Sequence, residues 1–82
     1  LDRDVKVYPN PVHNQLNVEF HSFGNETVRL RLMNLNGQVM MTRKIRNFSR
    51  VHQIDINQVP SGTYLLKVSI QNKVKIFQVV KH

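Results

Sequence analysis

Apolar residues recur at every second position in this chain, and that period constrains the fold more than any other feature. Leu16, Val18 and Phe20 alternate with Gln15, Asn17 and Glu19. Val28, Leu30 and Leu32 alternate with Arg29, Arg31 and Met33, and Tyr64, Leu66, Val68 and Ile70 alternate with Leu65, Lys67 and Ser69. Successive side chains of an extended chain point to opposite faces, so each run describes a strand with one face in a core and the other in water. No window carries the three-to-four spacing of an amphipathic helix. The pattern predicts strands at about 4–8, 15–20, 27–34, 38–46, 50–56, 63–70 and 74–81.

The breaks between these runs have physical causes. Pro9 and Pro11 fix φ near −65° and remove two backbone donors, with Asn10 held extended before Pro11, which stops the first strand and turns the chain. Gly24-Asn25 interrupts the chain before the third strand. Asn36-Gly37 between two alternating runs is a strong hairpin signal. Pro60-Ser61-Gly62 closes the fifth strand and opens the sixth, and Gln71-Asn72-Lys73 makes a polar turn into the seventh. Parallel strands would need crossover helices, and no segment supplies them. The expectation is a single all-β domain over residues 1–82, an antiparallel β-sandwich of about seven strands.

The central hairpin admits two registers. A two-residue Asn36-Gly37 loop sets Leu35 opposite Gln38 and Arg29 opposite Lys44. A three-residue loop with Gly37 as a bulge residue sets Val28 opposite Lys44. Val39 and Ile45 favour the first, because they then join Val28, Leu30 and Leu32 on one face. The last run, Val74 to Lys81, departs from clean alternation: Val74, Ile76 and Val80 fall on one face, Phe77 and Val79 on the other. An apolar terminal edge strand of this kind is either an aggregation hazard or a docking site, and it admits pairing with a second copy of the chain.

Eighty-two residues bury only about 60% of the surface that the unfolded chain exposes, which leaves no room for a core plus a deep substrate cleft. There is no cysteine, so no disulfide and no thiolate metal site, and no apolar run long enough to span a bilayer as a helix. Leu1-Asp2-Arg3-Asp4 has neither an initiator Met nor the regions of a signal peptide, so the chain reads as a segment of something longer. Twelve Lys and Arg stand against five Asp and Glu, a net charge of +7. No acid occurs from Thr27 to Gln53 or after Asp55. Such a surface attracts anions, with Arg29, Arg31, Lys44 and Arg46 as candidate contacts.

Catalytic and cofactor chemistry finds no support. His13, His21, His52 and His82 share no metal-binding spacing. Asp2, Asp4, Glu19, Glu26 and Asp55 are scattered, and no serine has a nucleophile-elbow context. Three glycines form no phosphate-cradling loop. The expectation is no enzyme, no cofactor and no metal. Asn25-Glu26-Thr27 and Asn47-Phe48-Ser49 match the N-glycosylation pattern, which arises readily by chance in an Asn-rich chain. A basic β-barrel stacking nucleic-acid bases on aromatics is the rival binding module. Against it, Phe20 and Tyr64 fall on apolar faces and no RNP1-like motif is present.

Four elements in order carry a resemblance: Val7-Tyr8-Pro9-Asn10-Pro11 with the strand Leu16-Asn17-Val18; Val28 to Gln38, ending in Leu35-Asn36-Gly37-Gln38; Ile54-Asp55-Ile56 through Val59-Pro60-Ser61-Gly62-Thr63-Tyr64 to Val68; and the basic, β-branched strand Phe77 to Lys81. Together, over about residues 5–82, they resemble the type A C-terminal sorting domain of the Por (type IX) secretion system of Bacteroidetes. Pro9, Asn10, Pro11, Gly37, Pro60, Gly62 and Tyr64 are the motif and turn positions. The chain departs from the family pattern in having His82 after the terminal Lys and in a more basic Thr27–Arg46 region. The resemblance implies an immunoglobulin-like sandwich recognised by the translocon in the periplasm. It also implies removal by a sortase as cargo is attached to anionic lipopolysaccharide, leaving the cargo at the cell surface or secreted. The alternative within the family is a domain retained as an anchor or as part of the secretion machinery. Val74, Lys75, Ile76, Phe77, Val79, Val80 and Lys81 are the expected translocon-recognition residues, with Val80 and Lys81 outermost.

Overall fold

Each alternating run forms one strand. The computed structural model describes residues 5–20, 27–46 and 51–82. Among them lie β1 (Val5–Tyr8), β2 (Gln15–Phe20), β3 (Val28–Asn34), β4 (Val39–Ile45), β5 (Val51–Asp55), β6 (Gly62–Ile70) and β7 (Lys73–Lys81). Every strand agrees with its expected span to within one residue wherever the chain is described. The expected strand ends at Asp4 and Arg50, the Gly24-Asn25 break, and the motif residues Asn25, Glu26 and Asn47–Ser49 lie outside the described residues.

The strands are antiparallel and form two sheets, ordered β1-β2-β5 and β4-β3-β6-β7. Lettered in chain order, this is ABE facing C′CFG, the immunoglobulin-like arrangement with its fourth strand on the larger sheet. The period of two explains the core. Leu16, Val18 and Phe20 from one sheet meet Val28, Leu30, Leu32, Leu66 and Val68 from the other, all buried. The interleaved Arg29 and Arg31 stay exposed, and Lys67 is half-buried. Each fully buried Leu or Phe side chain contributes roughly 1.5–3 kcal/mol.

The β3–β4 hairpin combines the two expected registers. Its loop is the three-residue kind. The Asn34 N–H donates to the Gln38 carbonyl at 2.9 Å, the Gly37 N–H donates to the Asn34 carbonyl at 3.0 Å, and Gly37 takes φ +88°. The Asn34 side-chain oxygen accepts from the N–H groups of Asn36 and Gln38, fixing the turn. Met33 accordingly faces Val39, but Leu32 faces Met41 and Arg29 faces Lys44. Met40 is therefore an extra residue on β4, a bulge that restores the pairing of the shorter loop. It returns Ile45 to the core beside Val28 and packs Met41 against it. Val39, expected to join that face, is 46% exposed, because it lies on the turn side of the bulge.

Leu30→Ala, at the centre of β3, is expected to cost about 2–5 kcal/mol. Val39→Ala should change stability by less than about 0.5 kcal/mol. Urea unfolding midpoints at unchanged slope measure both, and equal effects would contradict this core.

Candidate recognition surface

Two of the landmarks that punctuate the sequence, Pro9-Asn10-Pro11 and Pro60-Ser61-Gly62, meet at one end of the sandwich, around the last residues of β7. There the edge of β7 is closed by the segment after β1. Asn10 uses both ends of its side-chain amide: its Nδ2 donates to the Gln78 carbonyl and its Oδ1 accepts from the Val80 N–H, each at 2.9 Å. The Val12 N–H donates to the Val80 carbonyl at 2.8 Å, and the His82 N–H donates to the Val12 carbonyl at 2.9 Å. Val12 thus makes a parallel bridge with Lys81 and is itself fully buried. Pro9 and Pro11 flank the clamp, and the peptide bonds preceding both are cis.

Lys81 completes the closure from the other face. Its Nζ donates to the Asn57 carbonyl at 3.2 Å and also to the Val59 carbonyl. Burying a cation requires such acceptors, because the lost hydration must be replaced. Tyr64 holds the same loop by donating its hydroxyl to the Pro60 carbonyl, the tyrosine-corner contact of immunoglobulin-like folds. Gly62, between them, has φ +153°, a conformation unfavourable to residues with a Cβ.

Lys81 is therefore not an outermost element of the strand, contrary to expectation. It is 9% exposed, and its ammonium is spent on carbonyls of its own chain. Val80 is half-buried and clamped. The bridge at Val12 also brings the rings of His13 and His82 to 5.8 Å, a juxtaposition that residues so far apart in sequence do not announce. Among the described residues no group of three metal-ligating side chains forms.

The clamp stops at Gln78. Backbone groups alternate sides along a strand, so those of Val74 and Ile76 face the same free edge that Asn10 and Val12 cover further on. The side chains of Val74 and Ile76 are exposed by 49% and 53% on the outer face. Phe77 and Val79 turn inward, Val79 into the core and Phe77 against it, with the Lys75 Nζ 5.9 Å from the Phe77 ring centroid. The seven expected recognition residues thus divide in three: an open pair (Val74, Ile76), an inward set (Lys75, Phe77, Val79) and a latched pair (Val80, Lys81).

A second feature lies on the outer face of the same sheet. The pairings set Lys44, Arg29, Ser69 and Val74 in one row across the four strands, and Thr42, Arg31, Lys67 and Ile76 in the next. Arg29, Arg31, Lys67, Thr27, Ser69 and Gln71 line a shallow depression of about 420 Å³. Like charges directly opposite each other, as in Arg29–Lys44 and Arg31–Lys67, destabilise a sheet by roughly 0.2–1 kcal/mol per pair. The structure brings three of the four expected anion contacts together and adds Lys67, which the sequence reading missed. Arg46 lies one residue past the end of β4. The inward-facing Tyr64 and Phe77 leave this face without the aromatic platform that base stacking would need.

A family model described as a secretion system C-terminal sorting domain matches residues 6–82. The chain belongs to this family. It is a sorting domain of cargo of the Por, or type IX, secretion system, whose role is recognition rather than catalysis. The family associates with the Por translocon and sortase machinery and acts at the outer membrane and cell surface during secretion. No curated protein matches the sorting domain in sequence. No helix among its described residues is long and apolar enough to cross a membrane.

Asn10→Ala removes two hydrogen bonds from the β7 edge, an expected loss of about 1–3 kcal/mol. Amide exchange at Val80 and His82 should accelerate while the Leu66 amide stays protected. Unchanged exchange at Val80 would show that the clamp does not hold the strand.

Proposed function

We propose that the type IX translocon reads this sorting domain along the open half of β7, with Val74 and Ile76 as the contact side chains. A sortase then removes the domain as the cargo is joined to anionic lipopolysaccharide. The observation that carries the reading is the place where the clamp ends. From Gln78 to His82 the edge is occupied by the domain's own Asn10 and Val12, whereas further back on the strand the aliphatic side chains of Val74 and Ile76 stand exposed. An unpaired edge offers backbone donors and acceptors at a fixed repeat, and the outward side chains add selectivity. Lys75, Phe77, Val79, Val80 and Lys81 hold the strand in place for this contact. The role is that of a ligand, so it needs a rigid exposed edge and no reactive group.

The latch determines how the reading is tested. Deleting Val80 to His82 removes the Lys81 contacts and half of the clamp, so an export defect in that variant would mix misfolding with lost recognition. Val74→Ser with Ile76→Ser alters only exposed positions. In the cargo-bearing protein this pair should leave the urea midpoint nearly unchanged while cargo accumulates in the periplasm. Export at the parental level would sink the assignment. The mass of the surface-displayed cargo tests the removal step: loss of the domain's mass is expected, and its retention would point instead to a domain kept as an anchor or machinery subunit.

A further inference from the structure

We propose that the outer face of the β4-β3-β6-β7 sheet adsorbs to an anionic lipid surface, with its cations at the phosphate level and Val74 and Ile76 in the interfacial layer. This goes beyond recognition by the translocon and does not depend on it.

The charge distribution comes first. The outer face of this sheet carries Arg29, Arg31, Lys44 and Lys67, and its four strands hold not one Asp or Glu. The acids Glu19 and Asp55 belong to strands of the other sheet. Glu19 accepts from the Tyr8 hydroxyl, and Asp55 accepts from the Asn57 N–H. With strands about 4.8 Å apart and same-face residues about 6.7 Å apart, Lys44, Arg29, Arg31 and Lys67 fall within a patch on the order of 7 by 10 Å. Thr27, Ser69 and Gln71 add neutral donors to the depression between them. The arrangement concentrates positive potential and supplies hydrogen-bond donors, which is what a phosphate diester needs.

The rows identify the source of the phosphate. Each row that carries two cations ends in an exposed aliphatic side chain on β7: Lys44–Arg29–Ser69–Val74 and Thr42–Arg31–Lys67–Ile76. A free phosphate gives Val74 and Ile76 nothing to contact. A nucleic acid would call for aromatic faces, which are turned inward here. A lipid headgroup layer offers phosphates and adjacent hydrocarbon at every lateral position. An open sheet with a basic half and an aliphatic half can meet both together, as basic amphipathic surfaces do.

The test is flotation of the purified chain with vesicles of phosphatidylcholine alone or mixed with phosphatidylglycerol. Binding to the anionic vesicles is expected, weakening as salt is raised because exposed charges are screened over about 8–10 Å. Arg29→Gln should lower partitioning about fivefold, and the triple variant Arg29→Gln, Arg31→Gln, Lys67→Gln about 100-fold. These changes relieve repulsion, so the fold should survive them. Lys6→Gln, an equal charge change on the opposite sheet, should have no effect. Val74→Ser with Ile76→Ser should weaken binding while leaving its salt dependence intact. Equal partitioning onto neutral vesicles, or an equal loss in Lys6→Gln, would overturn the proposal. So would full displacement by polyglutamate with no effect of the Val74/Ile76 pair, which would assign the face to an acidic protein. Because no translocon is present, failure here leaves the proposed recognition of β7 standing.

Discussion

The two-ended hydrogen bonding of the Asn10 side chain to Gln78 and Val80 governs how the rest of this molecule works. A strand at the edge of a sheet presents a full row of unpaired backbone groups, which invites pairing with any extended chain. Asn10, with Val12 beside it, fills part of that row from within the domain. The same strand thus becomes closed at one end and open at the other. Lys81 reinforces the closed end by reaching back to the loop that Tyr64 braces, so two separate loops depend on a single strand terminus.

Much of the architecture was legible because strand formation with one buried face is a local property. The alternation in β2, β3 and β6 marks both the strand and its buried side, and Pro, Gly and Asn mark where each run stops. The hairpin register was not legible, since the bulge at Met40 lets a three-residue loop lead into the pairing of a two-residue one. A bulge satisfies the core requirement of Ile45 and the turn requirement of Gly37 at once, and no local signal favours it over either simple register.

The candidate recognition surface was readable in outline and not in detail. Val74 and Ile76 are visible as apolar residues beside lysines, but the inward fate of Phe77 depends on its pairing with Leu66 across β6, and the burial of Lys81 on carbonyls more than twenty positions away. A terminal lysine reads as solvated unless the carbonyls of Asn57 and Val59 are known to converge on it. Lys67 was overlooked for a related reason: β3 pairs with β6 across a long connection, and only that pairing sets it opposite Arg31. Charges summed along the sequence predict a basic protein; charges summed across a sheet predict a basic face.

The clamp joins residues 10–12 to residues 78–82, so the sandwich cannot be completed by any polypeptide that stops before β7. A domain cut short before β7 would carry most of the core and still lack the strand to which Asn10, Val12 and the Asn57–Val59 loop are tied. Folding of the sandwich therefore waits on its seventh strand, because residues 10–12 find their partners only when both ends of the domain are present.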